Sequence, residues 1–155
     1  EGKGLRLGLG YEGEKYSGFQ AGLFSSVKDF RGVDFELFYS YAEKYTGLKL
    51  SPWINHAKEM TGIQWSYRVN IAEKLKGWQT GALYNHSKEV VGAQTGVIVN
   101  YTDKLRGLQT SLINVCGEDS KGLQIGLINY RRGAPWYARF IPFIAFRFRP
   151  IKKKK

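Results

Sequence analysis

The stretch "GWQTGALYNH" (Gly77–His86) is followed fifteen residues later by "GAQTGVIVNY" (Gly92–Tyr101), a second copy of the same pattern. Gly32, Gly47, Gly62, Gly77, Gly92, Gly107 and Gly122 recur at intervals of 15, and Gly4, Gly18 and Gly32 at intervals of 14. A fixed short period of this kind means one structural unit repeated, here nine times. Counting each glycine as position one, the even positions are mostly apolar, as in Leu5, Leu7 and Leu9 or Ile63, Trp65, Tyr67 and Val69. Odd positions hold Gly, Gln, Gly or Ser, and Asn. Period two sustained over eight to ten residues predicts strands with one apolar and one polar face. Segments such as "AEKLK" (Ala72–Lys76) and "TDKLR" (Thr102–Arg106), rich in Lys, Glu and Asp, suit exposed turns. A further strand-like segment, "YARFIPFIAFRF" (Tyr137–Phe148), follows without the motif.

Composition agrees with sheet. Nineteen Gly stand beside four Trp, ten Tyr and nine Phe, whereas disorder would raise glycine without raising aromatics. A chain of 155 residues suits one domain. We read residues 1–149 as a single repeat domain and 150–155, ending "IKKKK", as a basic tail. No apolar run reaches the roughly 18 residues a membrane-spanning helix needs. Cys116 is the only cysteine, so no internal disulfide is possible.

Two architectures repeat a short strand: an up-and-down antiparallel sheet and a solenoid with one coil per unit. In hairpins, an odd repeat that keeps each face constant needs an even loop of two or four residues. With four, Asn55 would face Gln64, Asn70 Gln79, Asn85 Gln94, and Asn100 Gln109, a ladder of cross-strand amide pairs. Gln124 lies ten residues after Asn114 and calls for a bulge or a longer loop there. A solenoid would instead stack Gln on Gln. Because a coil must turn corners while the alternation runs through most of each unit, hairpins are the expected solution.

Strands of about ten residues, tilted by about 40°, rise about 25 Å, the height of an outer-membrane apolar band. The expectation is therefore an all-β fold, a closed up-and-down antiparallel barrel of about ten strands, with a β-solenoid as the alternative. Its lumen would hold the polar ladder of Asn55, Gln64, Asn70, Gln79, Asn85, Gln94, Asn100, Gln109 and Gln124. Arg6, Asp34, Glu36, Lys49 and Arg68 would pair as charges across it. Short connections and Pro52 and Pro142 inside strands run against this reading.

Little in the chain points to catalysis, a cofactor or a metal. His56 and His86 fall about 10 Å apart, too far to share an ion. Asp34 and Glu36 form an acidic pair, neutralised by Lys49 and Arg68 in this reading. The glycines lack the strand-to-helix context of a phosphate loop. A net charge of +11 favours anionic partners such as membrane lipid or lipopolysaccharide. The basic and aromatic stretch from Tyr130 to Arg149 reads as an interfacial strand with snorkelling arginines, and nucleic acid is not expected.

The units "GLQIGLIN" (Gly122–Asn129), "GLQTSLIN" (Gly107–Asn114) and "GAQTGVIVN" (Gly92–Asn100), with the ending "APWYARFIPFIAFRF" (Ala134–Phe148), resemble the surface-repeat proteins of spirochaetes and Bacteroidetes. The likeness spans roughly Gly18 to Phe148 and departs where Asp34 and Lys49 replace Gln. It implies placement in the envelope or on the surface of a Gram-negative-type bacterium and brings no catalytic residues. The functional expectation is a small outer-membrane barrel, a structural or accessory envelope component with at most a narrow pore. The alternative is a non-membrane β-repeat protein of the cell surface or periplasm, used for adhesion or assembly with other envelope proteins.

Overall fold

A computed structural model describes residues 1–148, and the basic tail at 150–155 lies outside the described residues. The chain is all-β, in the order β1 (Gly2–Leu7), β2 (Gly10–Leu50), β3 (Ile54–Ser66), β4 (Val69–Gly81), β5 (Tyr84–Gly96), β6 (Val99–Thr110), β7 (Ile113–Cys116), β8 (Lys121–Arg131), a short 3₁₀ turn (Trp136–Ala138) and β9 (Phe140–Arg147). Strands β1 to β8 pair in parallel and in register, so that Gly47, Gly62, Gly77, Gly92, Gly107 and Gly122 stack on one another. This is a β-solenoid of one coil per repeat. The antiparallel barrel expected from the loop parity is overturned: only β9 runs antiparallel, against β8.

The glycine explains why the corners escaped notice. Each repeat glycine from Gly4 to Gly122 has a positive φ, between 110° and 150°, so the chain turns while the strand remains continuous. In β4 the inward side chains Leu75, Gln79 and the buried Gly81 keep their alternation through the corner at Gly77. A Cβ on Gly77 would fall well inside contact with the carbonyl oxygen of Gly62, one coil earlier. Only glycine suits both the backbone angle and the close approach. Two other breaks complete the coil. One is the bend that leaves Tyr67 and Arg68 exposed between β3 and β4; the other is the skipped pairing after Ala57 and Ala72.

Five positions per coil point inward: the third, fifth, ninth, eleventh and fourteenth. In the coil from Gly62 these are Gln64, Ser66, Asn70, Ala72 and Leu75, none more than 2% exposed. The position two before the next repeat glycine, the fourteenth of a 15-residue coil, supplies the large apolar column, from Tyr16, Phe30 and Tyr45 through Met60, Leu75 and Val90 to Leu105. Phe30 and Tyr45 stack with ring centres 5.0 Å apart. One such side chain per coil is a thin core, and the rest of the interior is polar.

The coil's charged edge is patterned. Lys58 meets Glu43 at 3.1 Å, Lys74 meets Glu59 at 3.7 Å, Lys88 meets Glu73 at 3.5 Å and Lys104 meets Glu89 at 3.5 Å. The dipeptide order reverses from one coil to the next, Glu43-Lys44 then Lys58-Glu59 then Glu73-Lys74. Stacking in register thus sets opposite charges over each other.

The far end is closed by β9, which pairs Ala145 with Gln124 and Ile144 with Ile125. Pro142 and Phe143, the latter at φ 64°, sit where the register shifts between Gly126 and Asn129. Pro52 lies in the bend after β2 and not inside a strand. Among the described residues no helix is long and apolar enough to cross a membrane.

Candidate functional site

The polar residues singled out in the sequence all come to the solenoid axis, but in a different partnership. Asn55, Gln64, Asn70, Gln79, Asn85, Gln94, Asn100, Gln109 and Gln124 are all buried. The expected Asn-to-Gln pairs across hairpins are absent; glutamines stack on glutamines and asparagines on asparagines, because the paired strands are parallel and in register. Gln79, Gln94, Gln109 and Gln124 each donate from Nε2 to Oε1 of the preceding glutamine, at 3.1, 2.8, 2.8 and 2.9 Å. The asparagines run the other way. Asn70 donates to Asn85 and Asn85 to Asn100, both at 2.8 Å, and Asn114 donates to Asn129 at 2.9 Å.

The asparagine direction has a cause in the backbone. The second amide hydrogen of Asn70, Asn85 and Asn100 goes to the carbonyl of Thr80, Thr95 and Thr110, at 2.7, 2.9 and 2.9 Å. Only the NH₂ side can do this. Each ladder then ends in one orphaned acceptor: Asn55 Oδ1 at the start of one and Gln124 Oε1 at the end of the other are buried without a partner among the described residues. Every interior rung is satisfied, which buried polar groups require.

Toward the first coils the glutamine column gives way to charge. Lys49 is buried in the glutamine position and donates to the His56 carbonyl at 3.1 Å. Gln64 uses the same contact to the Ile71 carbonyl at 3.4 Å. Gln20 donates to Glu36 Oε1 at 2.9 Å and to Asp34 Oδ1 at 3.3 Å, and Ser40 donates to Asp34 Oδ2. Burial pushes the Glu36 carboxyl up to about 8; the Gln20 hydrogen bond opposes this and the Asp34 charge adds to it. Burial likewise pulls the Lys49 ammonium down to about 8 against the pull of Asp34 and Glu36. Asp34 is also raised by burial. Arg6, half-buried at the open first coil, lies 3.9 Å from the Tyr16 ring centre and donates to Gln20 at 3.3 Å.

Arg68, expected among the interior charges, is outside. It occupies the bend and sits 4.0 Å from the Trp53 ring centre. Alternation alone would point it inward, and the bend after Ser66 turns it out. His56 and His86 face outward two coils apart, edge-on to Tyr41 and Tyr101 at 5.1 and 5.0 Å. Cys116 is buried beneath Thr102, and burial raises its thiol pKa. Among the described residues no group of His, Cys, Asp and Glu could hold a metal ion.

The outward apolar face expected around a polar interior is present, but on the flank of a solenoid and not on the wall of a barrel. With the amides inside, the second, fourth and sixth positions of every coil face outward, and none of them carries a charge. Leu5, Leu7, Phe19, Phe35, Ile63, Trp65, Trp78, Val97 and Leu127 are all exposed. The capping strand adds Ile144 and Phe146, paired with Ile125 and Leu123. Phe24, Phe38 and Trp53 continue the apolar surface around the bend, with ring centres 5.6 and 5.7 Å apart. Apolar alternation around a polar interior was legible; that it forms one flank of a stack of parallel coils followed only from the coil. No family model, characterised protein or solved structure is significantly similar to the chain.

Proposed function

We propose that this is a non-membrane-spanning β-repeat protein of the bacterial cell surface or periplasm, acting in adhesion or assembly and not in catalysis. The observation that carries the reading is the uncharged apolar face that runs along every coil of a solenoid whose amide interior is already filled. Monomeric soluble proteins rarely expose a contiguous apolar patch of this extent, and such patches mark interaction surfaces. The acid pair Asp34 and Glu36 supports a structural role, since both are closed off from solvent, hydrogen-bonded to each other and to Gln20, with Ser25 and Ser40 also on Asp34. Solenoids offer long, regular surfaces for binding partners.

Sedimentation of the purified chain with isolated bacterial envelope fragments tests the proposal. The wild-type chain is expected to pellet with the fragments. The double variant Trp65→Lys/Trp78→Lys should lose about tenfold or more in affinity, with an unchanged far-ultraviolet circular dichroism spectrum. A variant that binds as well as wild type, or a wild-type chain that stays monomeric and unbound, contradicts it.

A further inference from the structure

Resting on that reading, we infer that the apolar face seats on the surface of an anionic phospholipid bilayer. With ten strands about 4.8 Å apart and about five residues of each coil in the face, it covers on the order of 700 Å². The whole area is free of charge, and it is also free of amides at its outward second, fourth and sixth positions. Hydroxyls at Thr80, Thr95 and Thr110 are its main polar groups, and Thr95 already accepts from Trp78 Nε1 at 2.8 Å. A sugar or peptide ligand would find few hydrogen-bond partners there, whereas hydrocarbon needs none.

The rim supplies the sign. The residue just before each repeat glycine lies two residues before the first apolar residue of the face, within about 7 Å of it along the chain. Down the coils this position holds Lys3, Arg31, Lys76, Arg106 and Lys121, with the uncharged Ser17, Thr46, Thr61 and Val91 between them, and no acidic residue. Lys3, Lys76 and Arg106 are exposed and form no ion pair among the described residues. Cations bordering an apolar surface can snorkel to head groups while the face enters the acyl region, and each adds attraction to an anionic leaflet. Trp65 and Trp78, exposed on the face, are residues favoured at membrane interfaces.

Charge and relief weigh against a second copy as occupant. Two chains of +11 each repel. The face also has a depression of about 310 Å³ between Trp65 and Val97, floored by small residues such as Gly81 and Ala82. Fluid acyl chains fill such relief, while an identical face would need a matching projection.

Co-sedimentation with vesicles decides it, using phosphatidylcholine alone and phosphatidylcholine with about 30% phosphatidylglycerol, at about 0.1 M and about 0.5 M salt. The expected result is binding at least about tenfold tighter to the anionic vesicles at low salt, with a blue shift of tryptophan emission. Lys76→Glu/Arg106→Glu should abolish the anionic preference, and Trp65→Lys/Trp78→Lys should reduce binding to both vesicle types. Absence of vesicle binding, or binding unchanged in both variants, overturns the inference. If the chain instead forms a dimer in sedimentation velocity that Trp65→Lys/Trp78→Lys dissolves, the lipid assignment fails while the adhesion and assembly reading stands. If neither vesicles nor self-association respond to the face, the lipid inference fails, and the adhesion and assembly reading fails with it only if the envelope-fragment assay is negative as well.

Discussion

Gly77 shows how much one residue can decide. Its φ of 129° and its approach to the Gly62 carbonyl exclude any side chain, so Gly77→Ala should cost about 3 kcal/mol or more in chemical denaturation. Gly4, at φ 110° with open space around it, should lose only the strain, about 1–2 kcal/mol. Gly13→Ala, free of both constraints, should stay within about 0.5 kcal/mol. Glu36 makes a second test, in pH. Its folded pKa of about 8 lies above its ordinary 4.5, so the folded state holds the extra proton between those values. Stability from this group is full below the unfolded pKa and is lost as pH rises toward 8. Lys49 has the opposite sign for a base, about 8 against 10.5, and its burial penalty is relieved only as pH rises above 8. Glu36→Gln should therefore gain stability over wild type progressively from about pH 5 to pH 8, read from urea midpoints across the range. A flat difference curve would mean that Glu36 is ionised in the fold.

The individual coil is held by pairing with its neighbours. Its interior holds one large apolar side chain, with stacked amides and small residues beside it, and its charged edge depends on register. Reversing a single dipeptide, Glu73→Lys with Lys74→Glu, places Lys next to Lys88 and Glu next to both Glu59 and Glu89. The double variant should lose about 1 kcal/mol, and the loss should shrink in about 1 M salt because these charges are exposed. A loss that salt does not touch would assign the effect to packing. The sign reversal from coil to coil was visible in "AEKYT", "AKEMT", "AEKLK", "SKEVV" and "TDKLR". Parallel in-register stacking explains it, whereas hairpin turns give no reason for it. Strand alternation, the repeat length and the amide positions were equally legible. The corner at glycine was not, because a positive φ leaves the alternation intact.

The described coils have two unlike ends. β9 covers the last coil in antiparallel pairing, while β1, only six residues long and bearing Lys3 and Arg6, has no strand on its outer edge among the described residues. Ending the chain after Arg132 would remove the cap and expose the longer edge of β8, which matches the open edge of β1 in strand direction. We expect concentration-dependent, head-to-tail oligomers of the truncated chain in size-exclusion chromatography with light scattering. A strictly monomeric truncated chain would show that the cap is dispensable.

Repeat length, the two-faced strands and the residues of the amide ladders are local properties, set by the order of side chains along fifteen residues. Antiparallel and parallel pairing both satisfy that order, since each keeps polar residues with polar and apolar with apolar. Only packing in three dimensions distinguishes them. The glycine corner lets each coil lie on the last, the asparagine amides reach backbone carbonyls of the following coil, and the reversed ion pairs fall into register. That choice also decides the form that the outward apolar face takes. In a barrel the apolar surface would surround a polar lumen across a membrane; in the solenoid it becomes an exposed flank with a basic rim, and the function proposed here depends on that flank.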